Sequence, residues 1–224
     1  MISNRLLRAV SLALAFSVPT VVLAFVVRVG WPPVADADAS AISWATDVTR
    51  ARPTLRDALL VGQELLEPRW LILGFAILCV VVWRAAGLGR RALWAGGTVL
   101  VAWGAANLAK LAVERARPVV QDAVTQAPGY SFPSGHATNA TAVAAAAVIL
   151  LWPLLGRRGR SLAVAAAVVL VLVTGADRVL LGVHYPSDVV GGVLLAAALV
   201  AGSAIGYLSE PHKVPGSRSV AHPS

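Results

Sequence analysis

Charge is what this sequence has least of. Only 13% of its 224 residues are Asp, Glu, Lys or Arg, about half the share of an ordinary soluble domain, while 58% are hydrophobic. So little polar surface cannot keep a chain of this length in water. That excludes a disordered protein, a nucleic-acid-binding domain and a typical cytosolic enzyme. Acids are the scarcer sign, 11 against 19 basic residues, for a formal charge of +8. In a membrane protein such an excess belongs on cytoplasmic loops rather than against nucleic acid. With Cys79 as its one cysteine, the chain can form no internal disulfide. The alternation of apolar and polar residues that marks a membrane barrel is missing too. Long apolar runs stand in its place.

Six of these runs approach the roughly 20 residues that cross about 30 Å of hydrocarbon. They are 6–28, 68–86, 92–113, 136–155, 161–180 and 187–207. The expected fold class is all-α, an integral membrane bundle of six transmembrane helices within residues 1–208. The first run has a rival reading as a cleaved signal peptide, since Arg5 and Arg8 precede it and Ala35-Asp36-Ala37 follows. Orientation follows from the basic residues. With the N-terminus inside, the inner segments hold ten of the 19 basic residues (Arg5, Arg8, Arg84, Arg90, Arg91, Arg157, Arg158, Arg160, Lys213 and Arg218) and one acid, Glu210. Trp83, Trp94 and Trp152 then fall at inner helix ends and Trp31 and Trp70 at outer ones, as interfacial belts require. Both termini are expected in the cytoplasm of a bacterium, the chain being a multi-pass protein of its cytoplasmic membrane. The outer stretch 30–67 has a weak helical period through Ala41, Trp44, Val48, Leu55 and Leu59. It reads as one or two amphipathic helices on the outer leaflet, or as a solvated connector. The tail 209–224, rich in Pro, Ser and Gly, is expected to be disordered.

Ionisable groups near membrane helices are costly and are kept for function. Here they converge on the outer ends of the helices: Lys110, Glu114, Arg115 and Arg117 at the end of the third, Ser134 and His136 at the start of the fourth, Asp177 and Arg178 closing the fifth, His184 and Asp188 opening the sixth. Orientation charges do not explain this, because basic residues are disfavoured on that side. The residue types fit phosphoryl transfer. Lys110 and Arg117 lie about two helical turns apart, and forked Arg donors match phosphate oxygens. Pro133-Ser134-Gly135-His136 occupies a helix start, where free N–H groups and the dipole favour an anion. Gly135 lets the backbone approach the ligand and the Ser134 hydroxyl can donate. Asp188, four residues after His184, can hold one ring nitrogen and leave the other for attack. His136, without a sequence-adjacent carboxylate, suits a proton donor to the leaving oxygen. Cations outnumber carboxylates in this cluster, the reverse of a divalent metal site, so no metal and no cofactor are expected. Arg115 and Glu114 read as rim ion-pair formers.

Read as Lys110-x6-Arg117-Pro118, Pro133-Ser134-Gly135-His136 and Arg178-x5-His184-x3-Asp188, these residues form a pattern that resembles the type 2 phosphatidic acid phosphatases, whose superfamily includes the vanadium haloperoxidases. The resemblance covers about residues 68–207. It implies a metal-independent phosphatase with a phosphohistidine intermediate. His184 matches the nucleophile, Asp188 its orienting carboxylate and His136 the general acid, while Lys110, Arg117, Ser134, Gly135 and Arg178 match the phosphate cradle. One departure is Asp177, where the family commonly has Ser; an anion beside the cradle, it reads as a modulator that pairs with Arg178 or Arg115 or turns away, with a working group as the alternative.

The expected substrate is a lipid phosphate or diphosphate held in the membrane lipid, its head group reaching the outer face. Polyprenyl phosphate or diphosphate comes first, then phosphatidylglycerol phosphate or phosphatidic acid. No nucleic-acid partner is expected, and the sequence is silent on oligomeric state. A non-catalytic lipid-phosphate binder or transporter is the alternative; it would use the same cations but not the two histidines and Asp188.

Overall fold

The structure is a computed structural model that describes residues 2–120, 125 and 127–208. Eight α-helices follow one another: α1 (Ile2–Arg28), α2 (Pro32–Arg50), α3 (Pro53–Leu65), α4 (Pro68–Ala86), α5 (Gly89–Val113), α6 (Gly135–Leu151), α7 (Arg157–Leu180) and α8 (Pro186–Leu208), with a 3-10 turn at Trp152–Leu154. Among the described residues every regular element is helical. Helices are what a bilayer allows, because each satisfies its own backbone polar groups where water is absent.

Five helices, α4 to α8, are long and apolar enough to cross a membrane. Residues Ala15–Arg28 of α1 pass the same test only together with α2, across a bend of 83°. The described residues thus hold five candidate spans, or six if the bent pair counts as one. Several helices run past the apolar windows read from sequence, notably α5 and α7, which take in Arg90, Arg91, Arg157, Arg158 and Arg160. A hydropathy window stops where charge begins, but the backbone keeps its helical bonds through the interface. The tail 209–224 lies outside the described residues.

α6 is the central helix. It packs against α4, α5, α7 and α8, and over half of its span is buried, against a third or less in the other four. Its run from Ala137 to Ala144 is mostly small, which lets neighbouring backbones come close. The core joins Ala142, Ala146 and Leu150 of α6 to Phe75 and Val82 of α4, Ala95 and Val99 of α5, and Ala196 and Val200 of α8. The outward faces stay apolar, with Leu100, Val101, Leu162 and Leu172 exposed, as lipid-facing helices require.

The stretch 30–67 forms two helices, opened by Pro32-Pro33 and Pro53 in first-turn positions where their missing N–H costs nothing. They do not stand apart from the bundle: α2 packs on α7 and α8, and α3 on α7. Thr49 Oγ1 donates to the Leu180 carbonyl at 2.7 Å. At Gly182, φ is +72° and an added Cβ would lie 2.7 Å from Thr46 Cγ2, so glycine there admits α2 against the turn that follows α7. Trp44, Val61 and Leu65 remain exposed.

Candidate active site

The C-terminal ends of α5 and α7 and the N-terminal ends of α6 and α8, capped by α3 and the start of α4, enclose a cleft of about 280 Å³. Six of the eight residues expected from sequence line it: Lys110, Arg117, Gly135, His136, Arg178 and His184. Ser134 and Asp188 are fully buried behind them.

The α7–α8 turn and the first turn of α8 set His184 and Asp188. His184 is 3% exposed. Its Nδ1 stands 3.5 Å from Asp188 Oδ2, and its Nε2 lies 3.2 Å from an Arg117 guanidinium nitrogen. The ring therefore turns one nitrogen to a carboxylate and the other to the cationic cleft. Burial pushes its pKa below the ordinary 6.5; Asp188 acts in the opposite sense, and Arg117 and Lys110 in the same sense as burial. Asp188 cannot swing away. Its Oδ2 accepts the Tyr185 N–H at 2.9 Å and its Oδ1 accepts from Arg115 at 2.7 Å.

Arg117 reaches the cleft by a different route from the one its spacing implied. α5 stops at Val113, because Glu114 takes a left-handed φ of 54° and Pro118 disfavours helix at the residue before it. Arg117 thus lies in the irregular segment beyond, not two turns along a helix from Lys110. Its guanidinium donates to the Pro128, Gly129 and Val183 carbonyls at 2.8–3.0 Å, which ties that segment to the α7–α8 turn.

Ser134 caps α6, its Oγ accepting the Ala137 N–H at 3.4 Å, while its own N–H donates to the Asp188 carbonyl at 2.9 Å. The histidine block is thereby pinned to α8. At Gly135 an added Cβ would lie 3.8 Å from Lys110 Nζ, in the space between the ammonium and the helix start. Gly191 and Gly192 bring α8 up to this block: added Cβ atoms would meet the Phe132 ring at 2.4 Å and the Ser134 carbonyl oxygen at 2.7 Å. His136 Nε2 is 3.4 Å from Arg178 and 3.6 Å from Glu67 Oε1. Arg178 pairs through Nε and a terminal nitrogen with Asp177 Oδ2, so its remaining nitrogen faces His136.

Four participants were not singled out by sequence, or were misplaced by it. Arg115 forms ion pairs as expected, but inside the rim: its side chain is 12% exposed and lies between Asp188 and Asp38 of α2, at 2.7 Å from each. Asp38 carried a signal in the sequence, since it shares the 38, 42, 45, 49 face of α2 that is buried, and an acid on a buried stripe needs a partner. Glu67 and Asn139 also line the cleft, and Asn139 Oδ1 is buried without a hydrogen-bond partner. Among the described residues no three His, Cys, Asp or Glu side chains group as metal ligands.

The arrangement brings an imidazole backed by a carboxylate, a second imidazole and three cations round one small space. The family model described as PAP2 superfamily matches residues 91–208. Over 115 residues the chain is 41% identical to decaprenylphosphoryl-5-phosphoribose phosphatase of Mycobacterium tuberculosis, covering 49% of this chain and 59% of that one. Over 75 residues it is 47% identical to phosphatidylglycerophosphatase B of Escherichia coli K12, covering 33% and 27%. The matched stretches thus span less than two thirds of these relatives. The fold is similar to that of the transmembrane PAP2 type phosphatidylglycerolphosphate phosphatase of Bacillus subtilis, with a TM-score of 0.71 and 22% identity over 88% of this chain and 94% of that one.

Proposed function

This chain belongs to the PAP2 superfamily, and from that premise we propose that it is a membrane lipid phosphatase working through a phosphohistidine. The observation that carries the reading is His184, with Nδ1 toward Asp188 and Nε2 toward the cleft that Lys110, Arg117 and Arg178 line. In the proposed first step Nε2 attacks phosphorus and the bond to the leaving oxygen breaks. His136 gives that oxygen a proton, and the Nδ1–H bond to Asp188 steadies the cationic ring. In the second step His136 takes a proton from water, whose oxygen attacks phosphorus and releases phosphate and neutral His184. Lys110, Arg117, Arg178 and the α6 N-terminus meet the charge on the phosphoryl oxygens. Ser134 Oγ accepts one backbone N–H and can still donate its own proton toward the cradle.

We place the site on the outer face of a bacterial cytoplasmic membrane, the orientation the basic residues favour. The substrates proposed are lipid phosphates, polyprenyl phosphate or diphosphate before phosphatidylglycerol phosphate or phosphatidic acid. The relatives' names, one a prenyl-linked and one a glycerophospholipid phosphatase, support that class. The test is phosphate release from a panel of these lipids by purified protein in detergent, with chelator present. Release that persists in chelator and disappears in His184→Ala is expected. No release from any lipid, or unchanged release in the variant, overturns the proposal.

A further inference from the structure

The cleft does not contain the whole of the charge system that serves His184. Behind Asp188 lies a buried chain that leaves the matched family segment and ends on α2. Arg115 donates at 2.7 Å to Asp188 Oδ1 and at 2.7 Å to Asp38 Oδ2, and its guanidinium stacks 4.2 Å from the Tyr185 ring centre. Asp38 also accepts the Ser187 N–H at 3.1 Å and the Ser187 hydroxyl proton, at the N-terminus of α8. Asp38 and Asp188 are 3% and 0% exposed, so solvent does not screen them.

The arithmetic of charge gives Asp38 a task. A lone Arg115 against Asp188 would cancel the carboxylate that the His184 ring leans on. A second carboxylate behind the guanidinium restores a net negative charge to the group. We propose that Asp38 is a positioning residue: through Arg115 it holds Asp188 in place and keeps its charge available to His184, so that α2 is part of the catalytic apparatus. This rests on the reading of His184 as the nucleophile. Burial works against the Arg115 charge, yet Asp188 and Asp38 together hold its pKa above the ordinary guanidinium value, so the cation stays a cation.

Asp38 also has a plain structural use, as an acceptor for the head of α8, and the test must separate the two. Asp38→Asn retains one carbonyl oxygen for the Ser187 N–H and removes the charge, with an NH2 in place of the second acceptor oxygen. The other groups facing His184 across the cleft are Glu67 before α4, Lys110 on α5, Arg117 in the following segment, His136 on α6, Arg178 on α7 and Asp188 on α8; all are left unaltered. Removing a negative charge disfavours the imidazolium. The kcat of Asp38→Asn should therefore fall by about 10- to 100-fold, the usual effect of a partner one step behind a reacting group, with KM little changed. The acid limb of its pH profile should move to lower pH. In an Asp188→Asn background the same change should have almost no further effect, since its route to His184 is already cut. NMR titration of the imidazoles, with His184 assigned from the His184→Ala spectrum, reads the same downward shift without turnover. A wild-type profile in Asp38→Asn, or a uniform rate loss with lower thermal stability and no shift of limb or titration, overturns the inference. Absence of phosphate release in the unaltered protein would instead remove the phosphatase reading, while the His184 titration still decides the linkage to Asp38.

Discussion

His184 carries the sharpest expectations. His184→Ala should release no phosphate, and acid quenching of the unaltered protein with radiolabelled substrate should trap label on this ring; label persisting in the variant would assign the nucleophile elsewhere. The pH dependence has a definite sign. Attack needs the neutral ring, and burial lowers the His184 pKa from 6.5, so the neutral form persists below that value. The acid limb of kcat/KM, which reads the free enzyme, should therefore lie below pH 6.5 once the ionisation of the phosphate monoester, near pH 6, is allowed for. A limb above 6.5 would mean that another group governs it. Arg178 has a divided duty, since Asp177 occupies two of its nitrogens and the third faces His136. A lysine ammonium cannot make both arrangements at once. Arg178→Lys should lower kcat by about 100-fold or more, as loss of a charge-stabilising donor does, with a smaller change in KM. Steady-state kinetics that show only a raised KM would make Arg178 a ground-state binding group.

Among the helices, the close approach of α8 to the head of α6 fixes how well the two histidines are placed. Gly192→Ala would put a methyl group 2.7 Å from the Ser134 carbonyl and 2.9 Å from Thr138 Oγ1. Overpacking of this kind costs about 1–3 kcal/mol, and here the backbone that must yield carries Ser134 and His136. Both the melting temperature in detergent and kcat should fall, whereas Gly96→Ala, where an added Cβ meets nothing, should leave kcat unchanged and hold or raise the melting temperature. Equal behaviour of the two variants would show that the seam is slack. The same comparison explains what could be read in advance. The spans α4 to α8 were legible because in a bilayer the hydropathy of a run is itself the force that makes it a helix across the membrane. The cleft residues were legible because charge at helix ends stands out against apolar sequence. Asp38, Arg115 and Glu67 were not, since their roles depend on where α2 and α3 fold back, and a weak amphipathic period says which face is apolar but not what it meets. The third span's end at 113 matches the end of α5, but the helical spacing carried on from Lys110 to Arg117 fails for a local reason: Glu114 carries no glycine-like signal, yet adopts the left-handed conformation that ends the helix.

For the whole chain, the orientation proposal can be tested by labelling in intact cells. Gly129 sits in the α5–α6 connection, but its φ of +72° makes it a poor site for cysteine. Asp57 on α3, with two thirds of its side chain exposed, serves instead, and exposed Arg158 on α7 reports the opposite side. In a Cys79→Ser background, Asp57→Cys should react with a membrane-impermeant maleimide and Arg158→Cys should not. The reverse pattern would place the cleft in the cytoplasm.

Trp103 lines the cleft and is half exposed on α5, one of the membrane-crossing helices. One wall of the reaction chamber is therefore also a surface that lipid touches. For a substrate that stays in its bilayer, encounter is two-dimensional, and the governing concentration is a mole fraction among amphiphiles rather than a molarity. Inert detergent added at constant bulk substrate should slow the enzyme by surface dilution, while added buffer should leave the rate per molecule unchanged.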